Sequence, residues 1–275
     1  MDLEDFWIES LESNFIGDDG AIVGKSIYAM DAFWEGSHFQ REWMSPEQIA
    51  YKAFMVNLSD MVAMNAKPLY MLLTVALPKD ISKEALQKMS STFNRLSKEH
   101  NIALIGGDTI GSDKIGIAIT MIGTSEQPLK RDSLQDGDIL AYTGTLGEAK
   151  RDLERLLRGQ SIKSDSKFYK PILRQEFISK ASSYLSGGMD ISDGLYCDTN
   201  KLLKASSLFL KELAVIPPAV GESGEEYEML VAFPAKNLAK VSKIAKECNT
   251  PLTVFAQAST KESKFYPCSS QHFNP

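Results

Sequence analysis

Cysteine is scarce in this 275-residue chain: Cys197, Cys248 and Cys268 are the only three, widely spaced and without a CxxC or a Cys/His cluster. That excludes a sulfur-rich metal site, gives no sign of a disulfide framework, and reads as three reduced thiols. No GxxxxGK[ST] and no GxGxxG occurs, so neither a P-loop nor a Rossmann site is available. No apolar run approaches a membrane-spanning length, and the first five residues, Met1 to Asp5, are acidic where a signal peptide would be basic, so a cytoplasmic protein is expected. Positive charge is also in short supply. A net charge of −6 argues against a nucleic-acid partner, which would need a surplus of Lys and Arg to neutralise phosphates.

What the chain does have is a 43% hydrophobic composition, enough for a real core, and a length that suits two modest domains. Its first half alternates strand and helix patterns. Ser26 to Phe33 reads as a strand. A helix follows whose start is written by Ser45 at the N-cap, Pro46 at the first helical position and Gln48 completing a capping box, and it runs to about Asn65. Leu69 to Leu77 suits a buried strand. Ser82 to His100 is an amphipathic helix with Leu86, Met89, Phe93 and Leu96 at helical spacing, and Ile102 to Ile105 and Ile115 to Ile122 are two further strands. Periodicity lapses between Glu126 and Asp138, which places a boundary near residue 128 and predicts domains over 1–128 and 129–275. In the second half, strands are expected at Ile139 to Tyr142, Tyr227 to Phe233 and Leu252 to Phe255. Helices are expected over Glu148 to Leu157, Ile172 to Leu185, up to Leu203 after a turn at Met189 to Gly194, and over Ala235 to Cys248.

Aspartate gathers where strands should give way to loops: Ile16-Gly17-Asp18-Asp19, Ala29-Met30-Asp31, Asn57-Leu58-Ser59-Asp60, Gly106-Gly107-Asp108-Thr109 and Asp190-Ile191-Ser192-Asp193-Gly194. Any one of these is a common turn or cap residue. Together, set among apolar runs, they need cations or donors beside them, and hard carboxylate oxygens are what Mg²⁺ and nucleotide phosphates call for. Asp60 is the exception to the turn reading, because it lies inside a predicted helix, where Asp is a poor choice. Gly194 opens a predicted helix whose exposed amides favour an anion or a simple cap. His38 on its own is an ordinary histidine. Lys130-Arg131 is either plain surface or a phosphate clamp, and the acidic run Glu222 to Glu228 is a solvated turn or a substrate loop.

In this order the segments resemble the thiamine-monophosphate kinase family, within the ATP-binding superfamily that includes aminoimidazole ribonucleotide synthetase. The resemblance runs from about Phe15 to Phe233 and is densest from Ala50-Tyr51-Lys52-Ala53 through Val56-Asn57-Leu58-Ser59-Asp60 to Lys67-Pro68. Asp31 with Glu35-Gly36-Ser37-His38-Phe39, Tyr142-Thr143-Gly144-Thr145-Leu146-Gly147 and Gly106-Gly107-Asp108-Thr109 match as well. It implies an α/β (α+β) fold of two domains: an N-terminal mixed sheet with helices that dimerises, and a C-terminal α/β domain that closes the site. The activity implied is transfer of phosphate from ATP, with Mg²⁺, to thiamine monophosphate. Asp19, Asp31, Asp60, Asp108, Asp190 and Asp193 would hold metal, Asp108 and Asp193 being also the catalytic candidates. Gly107, Asp108, Arg131 and Ser192 would contact ATP. His38 and Glu225 would face the substrate, with an aromatic from Phe265 or Tyr266, here Tyr266, stacking on it.

The chain departs from the family pattern at Ala29 and Met30, where hydroxyl residues are usual, and at Ser223-Gly224-Glu225-Glu226-Tyr227-Glu228, where the usual Gly-Gly-Glu-Asp-Tyr-Glu keeps its glutamate as Glu225 but gains a methylene beside it at Glu226. Alternatives within the superfamily are disfavoured, since a selenophosphate synthetase carries a reactive residue in an N-terminal glycine loop and no cysteine precedes Cys197. A noncatalytic thiamine-phosphate or nucleotide sensor is the alternative from another class. The missing hydroxyls favour it, and the retained carboxylates oppose it.

Overall fold

The computed structural model describes residues 3–268. A short helix α1 (Leu3–Glu9) precedes strands β1 (Ala21–Val23) and β2 (Ser26–Trp34), and helix α2 (Pro46–Ala63) follows. Next come β3 (Lys67–Pro78), helix α3 (Lys83–His100), β4 (Ala103–Ser112) and β5 (Gly116–Thr124). The five strands form one sheet in the order β1-β2-β5-β3-β4, in which β3 and β4 pair in parallel and the other pairs are antiparallel.

The second half comprises β6 (Ile139–Thr143), α4 (Glu148–Leu157), α5 (Gln175–Ala181), β7 (Gly187–Asp190) and α6 (Leu195–Ala205). It continues with β8 (Phe209–Glu212), α7 (Pro218–Gly221), β9 (Met229–Phe233), α8 (Leu238–Glu247) and β10 (Leu252–Ser259). Its strands form a separate five-stranded sheet, ordered β7-β9-β6-β10-β8 and antiparallel throughout. The mixed α/β class and the presence of two sheets agree with the sequence reading. Among the described residues no helix is long and apolar enough to cross a membrane.

Helix α2 is the element that joins the halves. Its start is capped as the sequence requires: the Gln48 amide donates to Ser45 Oγ at 3.3 Å, and the Ser45 amide donates back to Gln48 Oε1 at 2.8 Å. Its apolar face packs on the first sheet, where Phe54, Leu58 and Met61 join Ile27, Phe33, Ile117 and Ile119 in one core. Val62 and Ala63 belong to another core with Leu129, Phe177, Met229 and Phe233 of the second half. A helix clamped on both sides buries polar residues too, among them Lys52, Asn57 and Ser59, and these need partners.

Several expectations fail on particulars. Gly106-Gly107-Asp108 is no loop: it lies in the middle of β4, and Gly107 is required there because a Cβ would stand 1.8 Å from the Leu73 carbonyl oxygen. The helix expected from Ile172 to Leu185 is only α5 with a 3₁₀ turn after it, and β1, β7 and β8 went unforeseen. The cysteines are not all reduced. Cys197 and Cys268 form a disulfide, with Cα atoms 5.2 Å apart, and Cys248 is free. Spacing along the chain could not reveal it, because α6 and the segment after β10 meet only in the folded molecule.

Candidate active site

Two clefts of about 600 and 610 Å³ meet between the halves. Their shared wall is His38, Ser192, Asp193, Cys197, Glu225 and Cys268, so they form one continuous space with a seam.

The first cleft is a carboxylate cage. Asp19 comes from the loop before β1, Asp60 from α2 and Asp190 from the end of β7, and one oxygen from each lies within 4.8 Å of the others. Asp31 of β2 and Asp193 line the same cleft. Three of the aspartates are anchored from behind. Ser59 Oγ donates to Asp190 at 2.6 Å, and the Asp31 amide donates to Asn57 Oδ1 at 2.9 Å, tying β2 to α2. The Arg131 guanidinium donates to Asp19, whose other oxygen is buried without a hydrogen-bond partner.

Crowding shows in the acidities. Burial, then the charges of Asp31, Asp190 and Asp19, push the Asp60 carboxyl well above the ordinary range. Asp190 is raised in the same way, by burial and then by Asp19. Asp19 rises through burial even though Arg131 pulls it down. Burial opposes the charge on Arg131, but Asp19, by proximity and hydrogen bond, outweighs it and raises the guanidinium further. Convergent hard oxygens, one of them orphaned, fit a divalent cation such as Mg²⁺.

The turn after β7 aims the rest of this wall. Asp198, in the first turn of α6, accepts from the amides of Ser192 and Asp193 at 3.1 Å each, while Lys201 donates to Asp193. Burial, then the charge of Asp193, pushes Asp198 up to about 8. Met30 and Ala32 also line the cage, so an apolar side chain stands where the family resemblance leads one to expect a hydroxyl.

The second cleft mixes apolar and acidic walls: Leu153, Leu157 and Phe168 beside Glu154, Glu222 and Glu225. Glu225 sits at the seam in the left-handed region, φ 54°, its amide donating to the Ser192 carbonyl at 2.7 Å. The His38 ring lies against Phe33, centroids 5.4 Å apart, its Nδ1 accepts from the Trp34 amide at 3.0 Å, and the residue lines both clefts.

A family model described as "AIR synthase related protein, N-terminal domain" matches residues 17–125. Thiamine-monophosphate kinase of Leptospira interrogans is 32% identical over 268 residues, covering 89% of this chain and 85% of that protein. The chain belongs to the thiamine-monophosphate kinase family. Thiamine-monophosphate kinase of Aquifex aeolicus is 29% identical over 82% of this chain and 83% of its own length. Among solved structures, AaThiL complexed with AMPPCP and TMP superposes with a TM-score of 0.82 at 27% identity, over 95% of this chain and 91% of that one. The protein is therefore an enzyme, a kinase with the aminoimidazole ribonucleotide synthetase-like fold.

Within this thiamine-monophosphate kinase family member, the structure brings together Asp19, Asp31, Asp60, Asp190, Asp193, Arg131, Ser192, His38 and Glu225 around the two clefts. It does not bring Asp108, Gly107 or Tyr266 there. Asp108 is exposed on β4, its carboxylate accepting from the next amide, that of Thr109, at 2.7 Å. Tyr266 is 6% exposed and stacked on Tyr196 at 4.4 Å between centroids, so its neighbours Pro267 and Cys268 reach the cleft and its ring does not. The sequence reading gave no role to Lys52, Asn57, Ser59, Asp198 or Lys201, although the first three stand in stretches it singled out. The signal for Lys52 was present, a lysine among the apolar residues Ile49, Ala50, Ala53 and Phe54 of a predicted helix.

Proposed function

We propose that the enzyme phosphorylates thiamine monophosphate to thiamine diphosphate at the expense of ATP, by direct in-line transfer. The observation that carries this is the seam: a cage of buried carboxylates suited to metal and triphosphate opens directly into a cleft whose apolar and acidic walls suit an aromatic cation. Asp19, Asp31, Asp60, Asp190 and Asp193 would hold Mg²⁺, and Arg131 and Ser192 would contact the ATP phosphates. When bound, the metal ions screen the charge of two phosphates that must approach each other.

A terminal phosphate oxygen of thiamine monophosphate attacks the γ-phosphorus. A new phosphoanhydride bond forms as the bond to the β-bridging oxygen breaks, and ADP leaves with that electron pair. No covalent enzyme intermediate is needed. His38 and Glu225 face the acceptor, where a carboxylate complements the positive thiazolium ring. Residues 1–128 act as the metal and nucleotide domain and 129–275 as the domain that closes on it. An ATP co-substrate supports a cytoplasmic setting. Incubation with MgATP and thiamine monophosphate should yield thiamine diphosphate. Absence of that product from well-folded, metal-loaded protein would overturn the reading in favour of a sensor.

Arg131 is the nucleotide contact most open to test. A bidentate guanidinium fixes a phosphate in orientation, and a lysine supplies only a point charge. Arg131→Ala should weaken ATP binding about 10- to 100-fold and Arg131→Lys less, with thiamine monophosphate binding unchanged in calorimetric titrations. Unchanged ATP binding and turnover would reduce Arg131 to a structural partner of Asp19.

Gly107 and Asp108 would reach nucleotide through dimerisation. The outer face and β4 edge of the first sheet expose Met30, Tyr70, Leu72, Leu104, Ile105 and Ile110, an apolar patch that a two-fold partner would cover. Such pairing would bring β4 of one copy toward the cage of the other. The protein should sediment at twice its 30.4 kDa mass. Co-refolded Asp60→Asn and Asp108→Asn chains should regain about a quarter of wild-type activity, since half the dimers carry one intact site. No recovery on mixing would confine each site to one chain.

A further inference from the structure

Lys52 lies in the middle of α2 with its side chain fully buried, and its ammonium donates to Glu225 Oε2 at 2.7 Å across 173 residues of chain. The same ammonium stands 4.1 Å from the centre of the Phe168 ring and 5.7 Å from that of Phe33. Glu225 is its one carboxylate partner among the described residues. A buried ammonium is costly unless it is paired, and a single such pair is retained where it fixes something.

What it fixes is visible in the spacing. Lys52, Val56 and Asp60 recur every four residues and so lie on one face of α2, and Val56 and Asp60 line the carboxylate cage. Eight residues of helix separate Lys52 from Asp60 by about 12 Å along the axis. Glu225 itself sits on a loop in a left-handed conformation and is 27% exposed at the seam. An unpartnered carboxylate there would be drawn toward the divalent cations of the neighbouring cage, which already gathers its ligands from other elements. The ammonium satisfies it instead and holds it on the acceptor side.

Building on the reading above, in which the apolar and acidic cleft takes the acceptor, we propose that Lys52 is a positioning residue. It pins Glu225 at the seam, so that one rigid helix sets the distance between acceptor recognition and the metal cage. Lys52 does not touch substrate. It acts through Glu225 and the aromatic rings of Phe168 and Phe33.

The test compares Lys52→Met, Lys52→Arg, Glu225→Gln and the double variant Lys52→Met/Glu225→Gln. Lys52→Met should raise KM for thiamine monophosphate about tenfold or more, the cost of a lost charged hydrogen bond, while ADP binding in the presence of Mg²⁺ stays within twofold. Glu225→Gln should show the same KM defect, the double variant should be no worse than either, and Lys52→Arg should recover part of the loss. Independently of activity, Glu225→Gln strands a buried ammonium and should melt at a lower temperature than the double variant. An unchanged KM in Lys52→Met alongside an active wild type overturns this proposal alone, as does a parallel fall in ADP affinity or a double variant that melts below Glu225→Gln. A wild type that makes no thiamine diphosphate overturns the functional reading itself.

Discussion

Asp60→Asn is expected to lower turnover on the order of 10²- to 10³-fold, because a neutral amide cannot replace an anionic ligand in a site that must screen several phosphate charges. The fold should survive, and in metal-free buffer the variant should be the more stable protein. The Asp60 carboxyl is raised by burial and then by the charges of Asp31 and Asp190, and the Asp190 carboxyl by burial and then by the charge of Asp19. Their folded-state values lie above those of the unfolded chain, so between the two the folded state holds more protons, and stability falls as pH rises through that window. With EDTA present, wild-type protein should therefore lose thermal stability from about pH 4 upward toward neutrality. Asp60→Asn should flatten that slope, and Mg²⁺ should restore the wild type and leave Asp60→Asn little changed. Near wild-type turnover in the variant, or a melting temperature indifferent to both pH and Mg²⁺, would remove the metal cage from the mechanism.

The second large effect concerns stability. Glu228 is wholly buried, and there Arg174 donates to it at 2.7 and 2.8 Å, Lys167 at 2.8 Å and Thr143 at 2.7 Å. Burial opposes its charge, but these donors prevail and hold its carboxyl below the usual glutamate range. Glu228→Gln leaves the buried Arg174 without its anion and Lys167 with only Glu226, 3.6 Å away, at a cost of about 3–5 kcal/mol, or roughly 6–15 °C in melting temperature for a chain of this size. The sign of the pH effect is opposite to that of the cage. A depressed carboxyl stabilises above its unfolded value and loses that contribution as pH falls through the folded one. The wild type should thus lose this stabilisation in acid, below about pH 4.5, and Glu228→Gln should not. A variant that melts with the wild type would show that Arg174 and Lys167 find water instead.

Most of the cage was legible in the sequence because its members are aspartates at strand ends or in an otherwise apolar helix, where the residue type is out of place unless something needs it. Asp60 was identified on that ground, and α2 was readable to its first residue because Ser45, Pro46 and Gln48 are local signals. The expectation of a loop at Gly106 to Asp108 failed because Gly-Gly-Asp after an apolar run looks like one. In fact the glycines let β4 pass close to β3, and no local pattern distinguishes close approach to a ligand from close approach to a neighbouring strand. Tyr266 misled for a related reason: an aromatic near the end of the chain has the same composition whether it stacks on a ligand or on Tyr196. The supporting residues, Lys52, Ser59 and Asp198, gain their roles from partners 173, 131 and five to six residues away. Only the last of these lies within reach of a motif.

The bond between Cys197 and Cys268 spans 71 residues and makes a covalent ring of most of α6 with β8, α7, β9, α8 and β10. The first sheet has no such closure among the described residues. In a chain-entropy picture the ring takes about 4 kcal/mol of freedom from the unfolded second half and nothing from the first. Reductant thereby becomes a handle on one half alone: it loosens the second half while the first keeps its own cohesion. In a thiol-rich compartment the same two sulfur atoms, both on the seam, would make the permanence of that closure a matter of ambient redox poise.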